Sequence, residues 1–346
     1  MRIGFVALPV GAHPAVSCAQ LVALAQFGEQ RGFDVAYMPD QTFHRDPYAT
    51  LAVVACSTSR ITLAVGATNP LTRHPAMTAR VAATLSEISG GRFLLILSAG
   101  NQRDLLEPLG LPTGDAATRC REAALTIKRL LSGQTVTYES PTLVMRRVAL
   151  QMPALLPVPV YLGARGPRVL EAAGEVADGA IIGGLVSDAG LDFAIGHVRR
   201  GAEAAGRRFN ELEIVNWVTT IVTERKRDFT DAVRPTIAYI VGGAPFEVLD
   251  AVRIPRSLIL QIKSAYVEGG LQSAAPLVDA GLIDKFTIIG DPGEVAERIA
   301  RLGDHGVGQI AILMPAYTGM NTGAPFDVQQ NLTRFAEDVM PRLVDM

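Results

Sequence analysis

The chain has 346 residues, of which 49% are hydrophobic and 19% charged, and its formal net charge is −2. This composition supplies enough apolar surface for a large core and excludes an intrinsically disordered chain. A nearly neutral protein has no general attraction to nucleic acid or to an anionic membrane, so we expect neither as a partner.

The chain also lacks the signals of secretion, membrane insertion and metal binding. No run approaches the ~18 apolar residues of a membrane helix, and the apolar N-terminal stretch is too short for a signal peptide. Three widely spaced cysteines, Cys18, Cys56 and Cys120, indicate reduced thiols in a cytoplasmic protein. The five histidines form no pair at i, i+4, so we expect no metal centre.

Short apolar runs alternate with longer amphipathic stretches along the chain. Eight runs are predicted strands, at residues 2–8, 34–38, 61–67, 92–98, 158–163, 179–183, 212–222 and 308–314. Helices are predicted at about 15–31, 48–58, 75–89, 115–132, 167–176, 188–205, 292–305 and 325–344. Two segments break the alternation: residues 134–150 resemble a β-hairpin, and residues 225–285 read as a mostly helical insertion before the last strand.

Buried strands that alternate with helices indicate parallel pairing through right-handed crossovers. The count of eight, without a GxGxxG motif after the first strand, favours a single-domain (β/α)₈ TIM barrel over residues 1–346. In that barrel the insertion is expected to pack over the mouth. A doubly wound open sheet shows the same alternation and is the alternative.

In a TIM barrel the functional residues lie on the loops that follow the carboxyl ends of the strands. Applied here, this rule selects Pro9, Asp40 to His44, Gly66 to His74, Ser98 to Asp104, Gly163 to Arg168, and Gly183 with Gly184. From residue type alone, a carboxylate such as Asp40 more often caps a helix than contacts a ligand. A single histidine such as His44 is more often structural than catalytic. Glu107 could belong only to a charged helix start.

The loop after the fifth strand, GARGPRVLEAAG, carries the clearest chemical signal. Its small residues let a ligand approach the backbone, and Pro167 starts a helix. Free N–H groups at a helix N-terminus, with Arg165 and Arg168 beside them, are suited to a phosphate. The alternative is a tight turn with two solvated arginines.

Three segments together resemble the luciferase-like flavin oxidoreductases: VGATNPLTRHPAMTARVAATLSEISGGRFLLILSAG, VYLGARGPRVLEAAGEVADGAIIGG and FTIIGDPGEVAERIARLGDHGVGQIAIL. The stretch TNPLTRHPAMTA is most similar to the methylenetetrahydromethanopterin reductases, which use the deazaflavin coenzyme F420. The resemblance covers nearly all of the chain outside residues 225–285. It implies F420 across the barrel mouth and hydride transfer to or from a C=N, C=C or C=O bond of a small or medium-sized substrate.

The resemblance also implies roles for particular residues. The cofactor phosphate would lie on Arg165 and Gly166, Asp40 would border the ring or the substrate, and Asn69 would hydrogen-bond the ring. A cis peptide without proline is expected in the third strand, at Gly66–Ala67. The predicted cofactor site is completed by Ser98, Asn101, Ala164 and Gly183.

Proton donors that subfamilies of these enzymes carry are replaced here. Val6 and Asn101 stand where glutamates are found, and Gln41 stands where a histidine is found. Protonation would then come from His44, from Glu107 or from water. We therefore take Asp40, His44 and Glu107 as the catalytic candidates.

Two other functions stay open at this point. One is an FMN-dependent monooxygenase of the same fold, and the other is a catalytically idle flavin-binding barrel. The resemblance further implies a homodimer that pairs through the helices flanking strands two to four.

Overall fold

The predicted apolar runs form strands in the structure, a computed structural model that describes residues 1–7, 17–40, 43–152, 156–315 and 327–344. The strands are β1 (Arg2–Val6), β2 (Val35–Met38), β3 (Thr62–Thr68), β4 (Phe93–Ser98), β5 (Val136–Glu139), β6 (Val144–Val148), β7 (Val160–Ala164), β8 (Gly179–Gly183), β9 (Glu213–Val222), β10 (Thr287–Gly290) and β11 (Gln309–Leu313). All eight predicted strands are present, with small shifts at their ends. Pro9 and Gln41 lie outside the described residues.

Eight parallel strands close into a ring in the order β1-β2-β3-β4-β7-β8-β9-β11. The ring closes because Arg2 of β1 pairs with Gln309 of β11. Between β8 and β9, Gly179 pairs with Glu213. These pairings confirm the predicted (β/α)₈ barrel and exclude the open sheet.

Alternate side chains of the strands point into the ring and fill it. The interior cluster consists of Val6, Val35, Tyr37, Ala64, Leu94, Ile96, Tyr161, Ile181, Val215, Ala311 and Leu313. Near the amino ends of the strands the Tyr37 hydroxyl accepts a hydrogen bond from Gln309, and the Tyr161 hydroxyl donates to Glu213 over 2.8 Å. The barrel is therefore packed at its amino-terminal end.

The helices are of two kinds: those that surround the barrel and bury its outer face, and those of the insertion, some of which lie over its mouth. They are α1 (Cys18–Gln30), α2 (Pro47–Ser57), α3 (Pro75–Ser89), α4 (Ala116–Leu131), α5 (Pro167–Val176), α6 (Asp188–Ala204), α7 (Lys226–Gly243), α8 (Phe246–Ala251), α9 (Arg256–Ala274), α10 (Ala280–Phe286), α11 (Pro292–Asp304), α12 (Val328–Arg334) and α13 (Met340–Val344). Within the described residues, no helix is long and apolar enough to cross a membrane.

Local sequence explains where several of these helices begin. Ser17 and Gln20 form a capping box at α1, with the Gln20 side chain accepting from the Ser17 N–H over 2.8 Å. At α11, Asp291 accepts from the N–H of Glu294 over 3.0 Å, and Pro292 occupies the first helical position.

The segment at 134–150 is an antiparallel hairpin of β5 and β6 that packs on α4. A buried carboxylate fastens it: Glu122 accepts hydrogen bonds from Tyr138 over 3.1 Å, from Ser140 over 2.9 Å and from Thr142. Acceptor and donors lie on different elements, so these bonds fix the hairpin against the barrel wall.

The insertion contains α7 to α10 and ends in a strand that the sequence analysis missed. β10 has only four residues, too few to separate from the helical pattern before it. It pairs with the second half of β9, where Thr287 lies beside Thr219 and Gly290 beside Val222. Thr219 also pairs with Leu313 of β11, so the long β9 changes partners along its length.

Candidate active site

A cavity of about 770 Å³ opens at the carboxyl ends of the barrel strands, beneath the insertion. Of the predicted site residues it is lined by Asp40, His44, Gly66, Ala67, Asn69, Ser98, Asn101, Ala164, Arg165 and Gly183. Two are not lining residues. Gly166 lies at the start of α5. Glu107 is exposed and accepts a hydrogen bond from the Gln102 side chain over 2.8 Å.

An apolar floor lies where β3 bulges. Ile96, Ile181 and Leu313 contribute to it. The register of β3 against β4 shifts between Val65 and Thr68, and the Gly66–Ala67 peptide inside this bulge is cis, as the resemblance predicts. A β-carbon at Gly66 would lie 2.5 Å from Ile96 Cδ1, so only glycine fits against the floor here. The flat, apolar surface suits an aromatic ring system.

Asp40 is the carboxyl group of the cavity that follows β2. The Thr68 hydroxyl donates to Asp40 Oδ2 over 2.7 Å, while Arg73 pairs with Asp46 over 3.2 Å. Burial is the largest influence on Asp40 and raises the pKa of its carboxyl group, with the nearby Asp46 charge acting in the same direction. A carboxyl group without an ion-pair partner within the described residues is thus biased towards its neutral form, which can donate a proton.

His44 also lines the cavity, and the described part of the chain gives its imidazole no hydrogen-bond partner. The Asn69 side chain forms hydrogen bonds with the backbone. Its amide nitrogen donates to the Ala99 carbonyl over 2.7 Å, and its oxygen accepts from the N–H of Leu71 over 2.7 Å. One amide proton of Asn69 remains for a ligand.

Arg165, which directly follows β7, is a half-buried cation in the lining of the cavity. Its Nε donates to the Gly183 carbonyl over 2.7 Å, and its two terminal nitrogens have no acceptor among the described residues. No described carboxylate lies within ion-pair distance of Arg165. Burial lowers the pKa of this guanidinium. A buried charge without a counter-ion is costly, and a bound anion would remove that cost.

The elements around Arg165 add to this anion site. α5 starts with Gly166 and Pro167, and no side chain caps its free N–H groups. A β-carbon at Gly183 would lie 3.2 Å from the Arg165 guanidinium, so glycine leaves the room that this side chain occupies. Arg168, the other arginine of the loop, points away: its side chain is 74% exposed and lies 3.6 Å from Asp115. The loop therefore has one half-buried arginine that lines the cavity and one solvated arginine.

The wall opposite the floor comes from the insertion and from the loop after β4. The Asn101 amide donates to the Tyr239 hydroxyl over 2.7 Å. The Arg103 guanidinium lies 4.8 Å from the centre of the Tyr266 ring and donates to the Tyr266 carbonyl. These contacts join α7 and α9 to the barrel across the cavity.

Several lining residues escaped the sequence analysis. Trp217 and Thr219 could have been found, because the alternation along β9 places them on the inward face with Val215. Tyr239 and Tyr266 belong to insertion helices, and the helical period does not show which face of each helix meets the barrel.

A closed ring of eight parallel strands with a ligand-sized cavity at their carboxyl ends defines a TIM barrel that binds a small molecule at its mouth. The family described as luciferase-like monooxygenase matches residues 1–309, and the chain belongs to this family.

Similar proteins include reductases and a dehydrogenase. The chain is 32% identical over 303 residues to 5,10-methylenetetrahydromethanopterin reductase from Methanolobus tindarius, covering 87% of this chain and 92% of the relative. It is 27% identical to the F420-dependent glucose-6-phosphate dehydrogenase of Nakamurella multipartita, covering 94% and 92%. The structure of coenzyme F420 dependent tetrahydromethanopterin reductase from Methanopyrus kandleri matches with a TM-score of 0.82 at 27% identity, covering 99% of both chains.

Proposed function

We propose that this protein is an F420-dependent oxidoreductase that transfers hydride between the deazaflavin and an electron-poor C=N, C=C or C=O bond of a small or medium-sized substrate. The observation that carries the proposal is the half-buried side chain of Arg165, which lines the cavity without an anionic partner among the described residues. The similarity to F420-dependent proteins supports the choice of deazaflavin.

The cavity residues fit such a cofactor. Arg165 and the free N–H groups at the start of α5 would hold its phosphate. The floor around Gly66–Ala67, with Ala164 and Gly183, would face its ring, and polar edges of the ring would meet Asn69, Ser98 and Asn101. When bound, the deazaflavin supplies a carbon that gives or accepts a hydride. The chain would contribute the orientation of cofactor and substrate, with an apolar floor beneath the ring.

The proton that accompanies hydride transfer would come from the chain. Asp40 is the leading candidate because burial favours its neutral form and Thr68 fixes one of its oxygens. His44 lines the same cavity and is the second candidate. Glu107 faces solvent outside the lining, so in this arrangement it could act only through intervening water.

The proposal is tested by titrating the purified protein with oxidised F420, and separately with FMN, while the visible absorbance of each is followed. We expect a saturable spectral change with F420 and none with FMN. Binding of FMN alone would replace the proposal with a flavin-dependent monooxygenase. Binding of neither would overturn the assignment of the cavity to a flavin-type cofactor.

A further inference from the structure

The insertion brings a phenol into the cavity at Tyr239 of α7. Tyr239 is half-buried and lines the cavity, and its oxygen accepts the 2.7 Å hydrogen bond from Asn101. Among the described residues this hydroxyl has no acceptor of its own. A tyrosine hydroxyl carries one donor hydrogen, so the proton of Tyr239 is available to a ligand.

The direction of the Asn101–Tyr239 bond follows from a second contact. The Asn101 side-chain oxygen accepts from the N–H of Asp104 over 2.8 Å. This contact assigns the oxygen end of the amide, so the end that faces Tyr239 must be the NH₂ group. The Tyr239 oxygen therefore accepts its hydrogen bond from Asn101, and the O–H hydrogen of Tyr239 points away from Asn101.

Arg165 is the charged neighbour of this phenol. Its Nε donates to the Gly183 carbonyl, and a β-carbon at the next residue, Gly184, would lie 3.0 Å from Ile240 Cδ1, so the residue after Tyr239 packs beside the strand end that holds Arg165. Both side chains end in donors without an acceptor among the described residues, and both line one cavity. Donors from a guanidinium and a phenol in one cavity can both bond the lone pairs of one oxyanion.

We propose that Tyr239 and Arg165 bind the same oxyanion of the cofactor, with Asn101 as the residue that positions Tyr239. The inference rests on the proposed function and deepens it: the anion site is shared between the barrel and the insertion. The ligand group is a phosphate or a carboxylate on the tail of the deazaflavin. Arg165 supplies the charge, and Tyr239 supplies a neutral donor from the opposite wall.

The experiment compares three ligands by optical titration: complete F420, the deazaflavin with a terminal phosphate only, and the deazaflavin riboside without phosphate. Tyr239→Phe keeps the ring and removes only the donor. A hydrogen bond to a charged group of this kind corresponds to about tenfold in affinity. We expect Tyr239→Phe to weaken complete F420 about tenfold and to leave the riboside unchanged. Weakening of the phosphate-only ligand identifies the phosphate, and its absence identifies a tail carboxylate.

Tyr266→Phe is the matched control, because it removes a phenolic hydroxyl from the same insertion and the same cavity. It should keep the wild-type ratio of F420 to riboside affinity. A second variant, Asn101→Asp, keeps the cap on Asp104 but turns the side chain into an acceptor for the Tyr239 proton. Asn101→Asp should lower the ratio of F420 affinity to riboside affinity.

The outcomes separate this inference from the proposed function. If the wild-type protein binds none of the three ligands, the proposed function fails. If the wild type prefers the anionic ligands and Tyr239→Phe retains that preference, only the shared oxyanion site is wrong. Equal weakening of all three ligands by Tyr239→Phe would place Tyr239 on the ring and would also overturn the inference.

Discussion

At the scale of single residues, the loop after β7 contains two arginines in opposite environments. Arg165→Ala removes the half-buried guanidinium that we assign to the cofactor anion. The loss of a charge-assisted contact costs about 1.5–3 kcal/mol, or roughly ten- to a hundredfold in affinity. We expect the dissociation constant of F420 to rise by that factor, while turnover at saturating F420 stays near that of the wild type.

Arg168→Ala is the control for Arg165→Ala, because it removes the same charge from an exposed side chain three residues further along the chain, outside the cavity lining. Its F420 affinity should match the wild type in the same optical titration. An Arg165→Ala variant with unchanged affinity would show that the anion site is misplaced.

Asp40 gives a prediction for stability against pH. Burial raises the pKa of Asp40 in the folded state. Its contribution to stability is therefore full below the unfolded pKa, near 3.9, and is lost as the pH rises through the folded pKa. Asp40→Asn cannot ionise, so it should be more stable than the wild type at pH 8, with the difference closing towards about pH 4. Urea unfolding followed by circular dichroism at several pH values measures this, and a difference that does not change with pH would contradict it.

The residues that could be predicted from sequence are those that a barrel places by rule. Asp40 follows β2, and Ala164 and Gly183 end β7 and β8, so their position at the mouth comes from the strand order alone. Glu107 shows the limit of that rule. It follows a short π-helical turn, Gln102–Leu106, which bends the chain so that Asn101 and Arg103 line the cavity and Glu107 does not.

At the scale of elements, α2 and α3 expose several large apolar side chains to solvent. Val53 is 53% exposed, Met77 42% and Ile88 44%. These two helices flank β2 to β4, where the family resemblance places a dimer interface. Exposed apolar side chains on two neighbouring helices are typical of a surface that another chain covers.

We therefore expect a homodimer, with a mass by light scattering of twice the 36.8 kDa of one chain. Val53→Glu places a charge in the interface and should lower the measured mass to that of one chain. Leu260→Glu is the matched control, since Leu260 is also 53% exposed but lies on α9 of the insertion. A wild-type protein that stays at 36.8 kDa would reject the dimer.

The predicted elements were most accurate in segments where buried apolar residues recur at a regular spacing. In the eight barrel strands and the helices between them, the spacing of apolar residues distinguishes strand from helix. β10 was missed because its four residues are too few to stand out from the helical pattern that precedes them.

At the scale of the whole molecule, the barrel could be predicted from the sequence, but only one side of the cavity could. The carboxyl ends of the strands define one side of the cavity in any barrel of this order. The other side depends on how α7 and α9 pack, and the contacts that hold them, Asn101 with Tyr239 and Arg103 with Tyr266, join residues more than 130 positions apart. No periodicity in the sequence records such pairs.

The change of partners along β9 has an evolutionary consequence. The chain leaves the barrel after Val222 and returns at Thr287, beside Thr219, so the two junctions lie about 11 Å apart. A stretch whose ends nearly meet can be exchanged for another without altering the strand order. Relatives could therefore acquire new substrates by replacing one continuous segment. Any replacement would also have to bring its own donor to the position of Tyr239, so that recombination would be constrained by the cofactor even where the substrate is free to change.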